Sequence, residues 1–161
     1  MDHFLLLKKY DIKYLSKYDS TKKNLERVLR NKIRRINNAN KDEKFILFKL
    51  IFKIIEELES KQIINDERYT DTKILYFSSQ GKSKYFIKNY FIQKGIEKNL
   101  INEILDKFEL ENPEWEMESA KIFIRKKRLE IKDTSNIEKN LAKMARAGFN
   151  YNIIKDILEI H

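Results

Sequence analysis

Apolar side chains return every three or four residues along almost the whole chain, the spacing that makes one face of an α-helix apolar and the other polar. The pattern predicts about nine helices, over residues 5–17, 20–35, 43–60, 66–80, 82–94, 97–110, 113–129, 135–147 and 150–160. Local punctuation agrees. Asn112 before Pro113 reads as an N-cap with proline at the first helical position. Ser135 and Glu138 have capping-box spacing. Ser20 or Thr21 can cap the second helix, and Asn65–Asp66 the fourth. Gly95 and Gly148 stand where helices should end. Asn37–Asn38–Ala39–Asn40 reads as a loop, so the connection over 34–42 is expected to be the longest and most mobile.

The helices also repeat one another. Ile96, Leu100, Ile101, Ile104 and Leu105 recur 53 residues on as Phe149, Ile153, Ile154, Ile157 and Leu158. They match Ile46, Leu50, Ile51, Ile54 and Ile55 with an offset of 50. Any amphipathic helix has this internal spacing, so the shared context counts for more. Gly95–Ile96 pairs with Gly148–Phe149, and Leu25, Val28 and Leu29 pair with Ile87, Tyr90 and Phe91. The expected fold is all-α, built of tandem three-helix repeats that stack into an elongated, curved array. The repeats would span 1–64, with a loop insertion near 34–42, then 65–111 and 112–161. Trp115 is expected to pack between the second and third.

Composition supports a helical, core-forming chain: 42% of residues are hydrophobic, with 3 glycines and 1 proline, too few for the turns of an all-β fold. Cysteine is absent, which excludes disulfides and thiolate metal sites and suits a reducing cytoplasm. Residues Met1 to Lys9 do not read as a signal peptide, because the charges follow a short apolar run. The most apolar stretch, Phe45 to Ile55, is broken by Lys49 and Lys53 and is too short to span a bilayer. The expectation is a cytoplasmic protein with no membrane contact. A membrane-surface role for that stretch ranks last, since the repeat makes its apolar residues core. The net charge is +9, from 34 Lys and Arg against 25 Asp and Glu, a balance that favours a polyanionic partner. Part of it has a blander reading, since Lys, Ile and Asn are abundant together, as AT-rich coding produces.

The segment Ile64–Asn65–Asp66–Glu67–Arg68–Tyr69, then Gly81, Ile87, Phe91, Gly95 and Ile96, resembles the RecX family of RecA regulators. Arg146–Ala147–Gly148–Phe149 with Ile153–Ile154 is similar to the family's Arg-Gly-Phe ending, and Tyr14–Leu15–Ser16 with Ser20, Leu25 and Leu29 to its first helices. The chain departs from the pattern at Thr70, where a small residue is usual. It has no glycine near Ile33, and Ala147 separates Arg146 from Gly148. The resemblance implies tandem three-helix repeats lying along the groove of the RecA filament on single-stranded DNA. It further implies damped ATP hydrolysis, strand exchange and coprotease activity, a place in homologous recombination, DNA repair and the SOS response, and no cofactor. A monomer is expected.

Candidate contact residues follow from charge and spacing. Lys139, Lys143 and Arg146 form an i, i+4, i+7 stripe opposite Ile137, Leu141, Met144 and Ala145. Arg125–Lys126–Lys127–Arg128 is the densest cationic run, although consecutive residues cannot share one helix face. Lys82, Lys84 and Lys88 flank a helix that also holds Tyr85, Phe86, Ile87, Tyr90, Phe91 and Ile92. Burial on two sides is the favoured reading of those apolar residues; exposure of Tyr85 and Ile92 to a partner is the alternative. Each cationic group has an ordinary reading as a solvated helix face. Asp66, Tyr69, Gly81, Gly95, Gly148 and Phe149 read as structural signature, with Asp66 an N-cap rather than a catalytic carboxylate.

No catalytic constellation emerges. The only histidines are His3 and His161, the three glycines are dispersed, and the carboxylates interleave with lysines at helical spacing. A non-enzyme is expected, without metal or cofactor. The alternatives to a filament regulator are a generic basic helical nucleic-acid-binding protein and a helical protein-interaction adaptor.

Overall fold

The computed structural model describes residues 3–130 and 134–158. They form nine α-helices: α1 (His3–Leu15), α2 (Lys22–Arg34), α3 (Lys41–Ser60), α4 (Asp66–Ser79), α5 (Lys84–Gln93), α6 (Lys98–Glu111), α7 (Trp115–Lys127), α8 (Ile137–Arg146) and α9 (Tyr151–Leu158). A 3₁₀ turn, Thr134–Asn136, leads into α8. Among the described residues there is no strand.

Chain contacts divide the fold into two compact units: residues up to Tyr69 with Lys94–Ile96, and Thr70–Gln93 with residues from Glu97 on. The first unit packs Leu7 of α1, Leu25, Leu29 and Ile33 of α2, and Leu47, Ile51, Ile54 and Leu58 of α3 around Ile64. These positions recur at three and four residues, one stripe per helix, and each fully buried Leu or Ile contributes roughly 1.5–3 kcal/mol. In the second unit Ala120, Ile124, Leu129, Met144, Phe149, Ile154 and Leu158 form one cluster. Ile87 and Phe91 of α5 and Ile101, Ile104 and Leu105 of α6 are also buried.

Several helix ends differ from expectation. The N-cap of α7 is Glu114, while Asn112 closes α6, so Pro113 sits in the turn between them rather than at a first helical position. The N-cap of α8 is Asn136, not Ser135, because the 3₁₀ turn moves the start of the helix one residue on. The anticipated 34–42 loop shortens to 35–40, and Asn40 with Glu43 forms a full capping box on α3. Helix α3 thus starts earlier relative to the repeat than α6 does. Ile96 precedes α6 and folds into the core at 4% exposure. Its counterpart Ile46 already lies within α3, and the helical turn carries it to the surface at 57% exposure. Leu47 is buried in its place.

A polar clasp is built twice. In the first unit the Thr21 hydroxyl accepts the Asn24 N–H at 3.1 Å, capping α2, and donates to the Lys94 carbonyl at 2.6 Å. The Asp66 carboxylate accepts the Lys22 N–H at 2.9 Å, and the Lys22 ammonium pairs with Glu59 at 2.8 Å. In the second unit the Ser83 hydroxyl accepts the Phe86 N–H at 3.1 Å and donates to the Ala147 carbonyl at 2.8 Å. Glu116 accepts the Lys84 N–H at 2.9 Å, and the Lys84 ammonium pairs with Glu109 at 2.7 Å. The unpaired N–H groups at a helix start are thereby satisfied, and a carboxylate meets the positive end of the helix dipole. Asp66 is therefore a cap for α2, brought from elsewhere in the chain. The cap on α4 is Asn65, which accepts the Arg68 N–H at 2.9 Å.

Glycine is required in both clasps. Gly95 has φ +75°, and a β-carbon there would lie 2.5 Å from Lys23 Cβ. Gly148 has φ +91°, and a β-carbon would lie 2.7 Å from Ser83 Oγ. The other signature residues are structural too: Gly81, Tyr69 and Phe149 are buried, and Phe149 packs on Phe123 with ring centroids 5.5 Å apart.

Candidate partner and nucleic-acid surfaces

The cationic residues singled out by spacing do not behave alike. On α8, Lys139 and Arg146 are exposed and Lys143 half-buried, while Asn140 and Met144 hold the opposite side in the core. This stripe is solvent-facing, as a phosphate contact requires. At the end of α7, Arg125, Lys126, Lys127 and Arg128 are all exposed. Arg128 has φ +51°, a left-handed conformation that turns the chain so that Leu129 enters the core. Lys126 donates to the Gln80 side chain at 2.7 Å and to its carbonyl at 3.2 Å.

The lysines around α5 are divided. Lys84 belongs to the clasp, and Lys82 lies 4.5 Å from the centre of the Phe86 ring. Lys88 alone of the three is exposed. Tyr85 and Ile92 are 66% and 41% exposed, so the favoured two-sided burial of α5 is incorrect. Ile87 and Phe91 fill its core face, and Phe86 and Tyr90 each meet Phe77 edge-on, while Tyr85 and Ile92 face outward.

Sequence reading missed the longest cationic face. Helix α2 carries Lys22, Lys23, Arg27, Arg30, Lys32 and Arg34 against one acid, Glu26. Lys23, Arg27, Arg30 and Arg34 recur at i, i+4, i+7 and i+11, the same signal as on α8 but one turn longer. Arg27 and Arg34 are exposed, and each donates to an asparagine of its own helix, Asn24 at 2.6 Å and Asn31 at 3.0 Å. Glu26 binds Lys23 and Arg30, both at 2.9 Å, and these cations lower its carboxyl pKa. On α3, Phe45, Ile46 and Phe52 are exposed beside Lys49 and Lys53, and the Lys49 ammonium lies 4.4 Å from the centre of the Phe45 ring. The repeat-based reading of that stretch as core is thus incorrect on its outer side.

The shifted carboxylates serve the fold. Burial raises Asp66 and Glu116, against the lowering effect of the backbone N–H groups they accept. Burial also raises Asp11. Lys61 and Lys8 hold Glu57 down at about 2. Among the described residues no group of three or more His, Asp or Glu is placed to hold a metal ion, and no helix is long and apolar enough to cross a membrane.

No family model matches the chain. Regulatory protein RecX of Myxococcus xanthus (strain DK1622) is 28% identical over 153 residues, which cover 91% of this chain and 80% of that protein. The chain is similar to RecX over nearly its whole length. The fold agrees: the crystal structure of RecX from Lactobacillus salivarius matches with a TM-score of 0.71 and 23% identity, over 98% of this chain and 96% of that one. A second crystal structure, of regulatory protein RecX, matches with a TM-score of 0.68 and 19% identity, over 99% of this chain and 73% of that one. The signature residues Asp66, Gly95 and Gly148 all fall in the two clasps, and the exposed Arg27 and Arg34 of α2 and the exposed cations of α7 and α8 lie outside them.

Proposed function

We propose that this chain is a non-catalytic regulator of the RecA system that binds the recombinase filament on single-stranded DNA, in its groove, and restrains ATP hydrolysis, strand exchange and coprotease activity. The observation that carries the reading is the near full-length likeness to regulatory protein RecX. The exposed cations on α2, at the end of α7 and on α8 supply a physical means, because each phosphate neutralised releases counterions and strengthens binding. The tandem-repeat organisation, read as 1–64, 65–111 and 112–161, is part of the same proposal, and the twice-built clasp supports it.

The test is the ATPase of the cognate recombinase on single-stranded DNA at low salt, with co-sedimentation of the chain. Inhibition at or below one chain per protomer is expected, and its absence overturns the reading. Equal DNA affinity with and without recombinase would instead mark a general nucleic-acid binder, and no salt-dependent DNA retention a protein adaptor. Changing Lys139, Lys143 and Arg146 to glutamate is expected to flatten the log–log salt slope by about 2, at roughly 0.7 per single-strand phosphate.

A further inference from the structure

The outer face of the first unit sets a row of cations beside a row of aromatic rings. Helices α2 and α3 run antiparallel there. Lys44 donates to the Arg34 carbonyl at 3.2 Å, and the Arg30 guanidinium lies 5.7 Å from the centre of the Phe48 ring. This register puts Arg34 level with the turn that holds Phe45, and Arg27 level with the turn that holds Phe52. Both the arginines and the rings recur after two helical turns, about 10 Å along the axis. Phe45 and Phe52 are 59% and 67% exposed, and Lys49 shares their stripe midway between them.

The charge of this face is not cancelled. Arg27 and Arg34 bond to asparagines, and among the described residues neither pairs with a carboxylate. The Lys49 ammonium lies 4.4 Å from the centre of the Phe45 ring. Asp42 and Glu56 are exposed at the two ends of the aromatic stripe and confine it to the turns between them. A cationic track beside exposed rings suits an unpaired strand, whose phosphates follow the cations while its bases stack on the rings. A duplex keeps its bases stacked inside and offers only phosphates to the same surface. A bilayer is the poorer match, because among the described residues α2 presents no exposed large apolar side chain.

We infer that the α2–α3 face is a single-strand-selective nucleic-acid site, with phosphates on Arg27 and Arg34 and unpaired bases stacked on Phe45 and Phe52. Lys49 neutralises a phosphate between the two stacked bases. The inference goes beyond the proposed function, because the site needs no recombinase. It also gives the chain a discrimination that cations alone lack, since lysine and arginine meet phosphates in single and double strands alike.

Three variants test it. Phe45→Leu with Phe52→Leu keeps apolar surface and removes the rings, Phe45→Tyr with Phe52→Tyr keeps the rings, and Phe52→Trp supplies a fluorophore. Affinities for oligo(dT) and for a duplex of equal length are measured by anisotropy without recombinase, with thermal melting as the check on folding. The leucine pair is expected to weaken oligo(dT) binding about tenfold or more, while duplex binding stays within about twofold and the salt slope is unchanged. The tyrosine pair should bind oligo(dT) within about threefold of the wild type. Oligo(dT) should quench the emission of Phe52→Trp and the duplex should not, against a constant background from Trp115, which is 6% exposed. Wild-type affinity of the leucine pair for oligo(dT), or an equal loss on both nucleic acids, overturns the inference. So does binding to phosphatidylglycerol vesicles that the leucine pair loses while its oligo(dT) affinity holds, which would mark a lipid-facing surface. The recombinase ATPase is read in parallel. Inhibition without strand selectivity sinks the inference and leaves the proposed function standing, and selectivity without inhibition does the reverse.

Discussion

Replacing Gly148 with alanine tests the clasp directly. The residue has φ +91°, and the new β-carbon would lie 2.7 Å from Ser83 Oγ and 2.9 Å from Tyr85 Cδ1. Backbone strain at such a φ costs an alanine roughly 1–3 kcal/mol. The Ser83 hydroxyl cannot simply turn away, because it caps Phe86 and donates to the Ala147 carbonyl. Losing those bonds costs about 1 kcal/mol more, so Gly148→Ala should destabilise by about 3 kcal/mol in total. For a chain of 161 residues that lowers the melting temperature by on the order of 10 °C. Ser83→Ala alone should cost about 1 kcal/mol by losing the same bonds. The double variant loses the cap once and has no hydroxyl to collide with. It should therefore fall short of the sum by about 1 kcal/mol. The assay is urea unfolding of all four proteins by circular dichroism, with slopes compared to confirm that the transitions match. Full additivity, or a loss under about 1 kcal/mol for Gly148→Ala, would refute the clasp.

Asp66→Asn combined with Glu116→Gln keeps an acceptor for each N–H and removes two half-buried charges; because burial raises these carboxyls, their contribution to stability is full in acid and is lost as pH rises through the raised values. The double variant should gain on the wild type in urea midpoint between pH 4 and pH 7, whereas a constant difference would refute the assignment. Glu26 and Glu57 act in the opposite sense, contributing above the ordinary carboxylate range and losing their effect as pH falls, toward about 2 for Glu57. Arg128→Gly relieves a left-handed φ of +51° and should leave stability equal or up to about 1 kcal/mol higher, while flattening the salt slope on oligo(dT) by about 0.7. Arg27→Glu with Arg34→Glu should leave the melting temperature unchanged and flatten that slope by about 1.4; an unchanged slope removes α2 from the nucleic-acid surface.

The helices were legible because their cause is local. An amphipathic stripe such as Leu47, Ile51, Ile54 and Leu58 needs no distant information, and the glycines at 81, 95 and 148 mark chain reversals wherever the rest of the fold lies. The α8 stripe was visible for the same reason, and the α2 face was equally readable from its spacing but overlooked. Lys84 and Tyr85 show where local reading stops. One is drawn into a clasp and its neighbour is exposed, because the outcome depends on Glu109, Glu116 and Gly148, far along the chain.

The amino-acid order alone determined the all-α class, the near-50-residue recurrence and the likeness to RecX, since periodicity and short-range motifs survive without knowledge of packing. Only the tertiary structure decided that Asp66 caps α2 and that Ile46 faces outward. Those outcomes turn on which helix ends and side chains meet across tens of residues. A carboxylate 44 positions away can satisfy an N–H only once the intervening helices have folded back to bring it there.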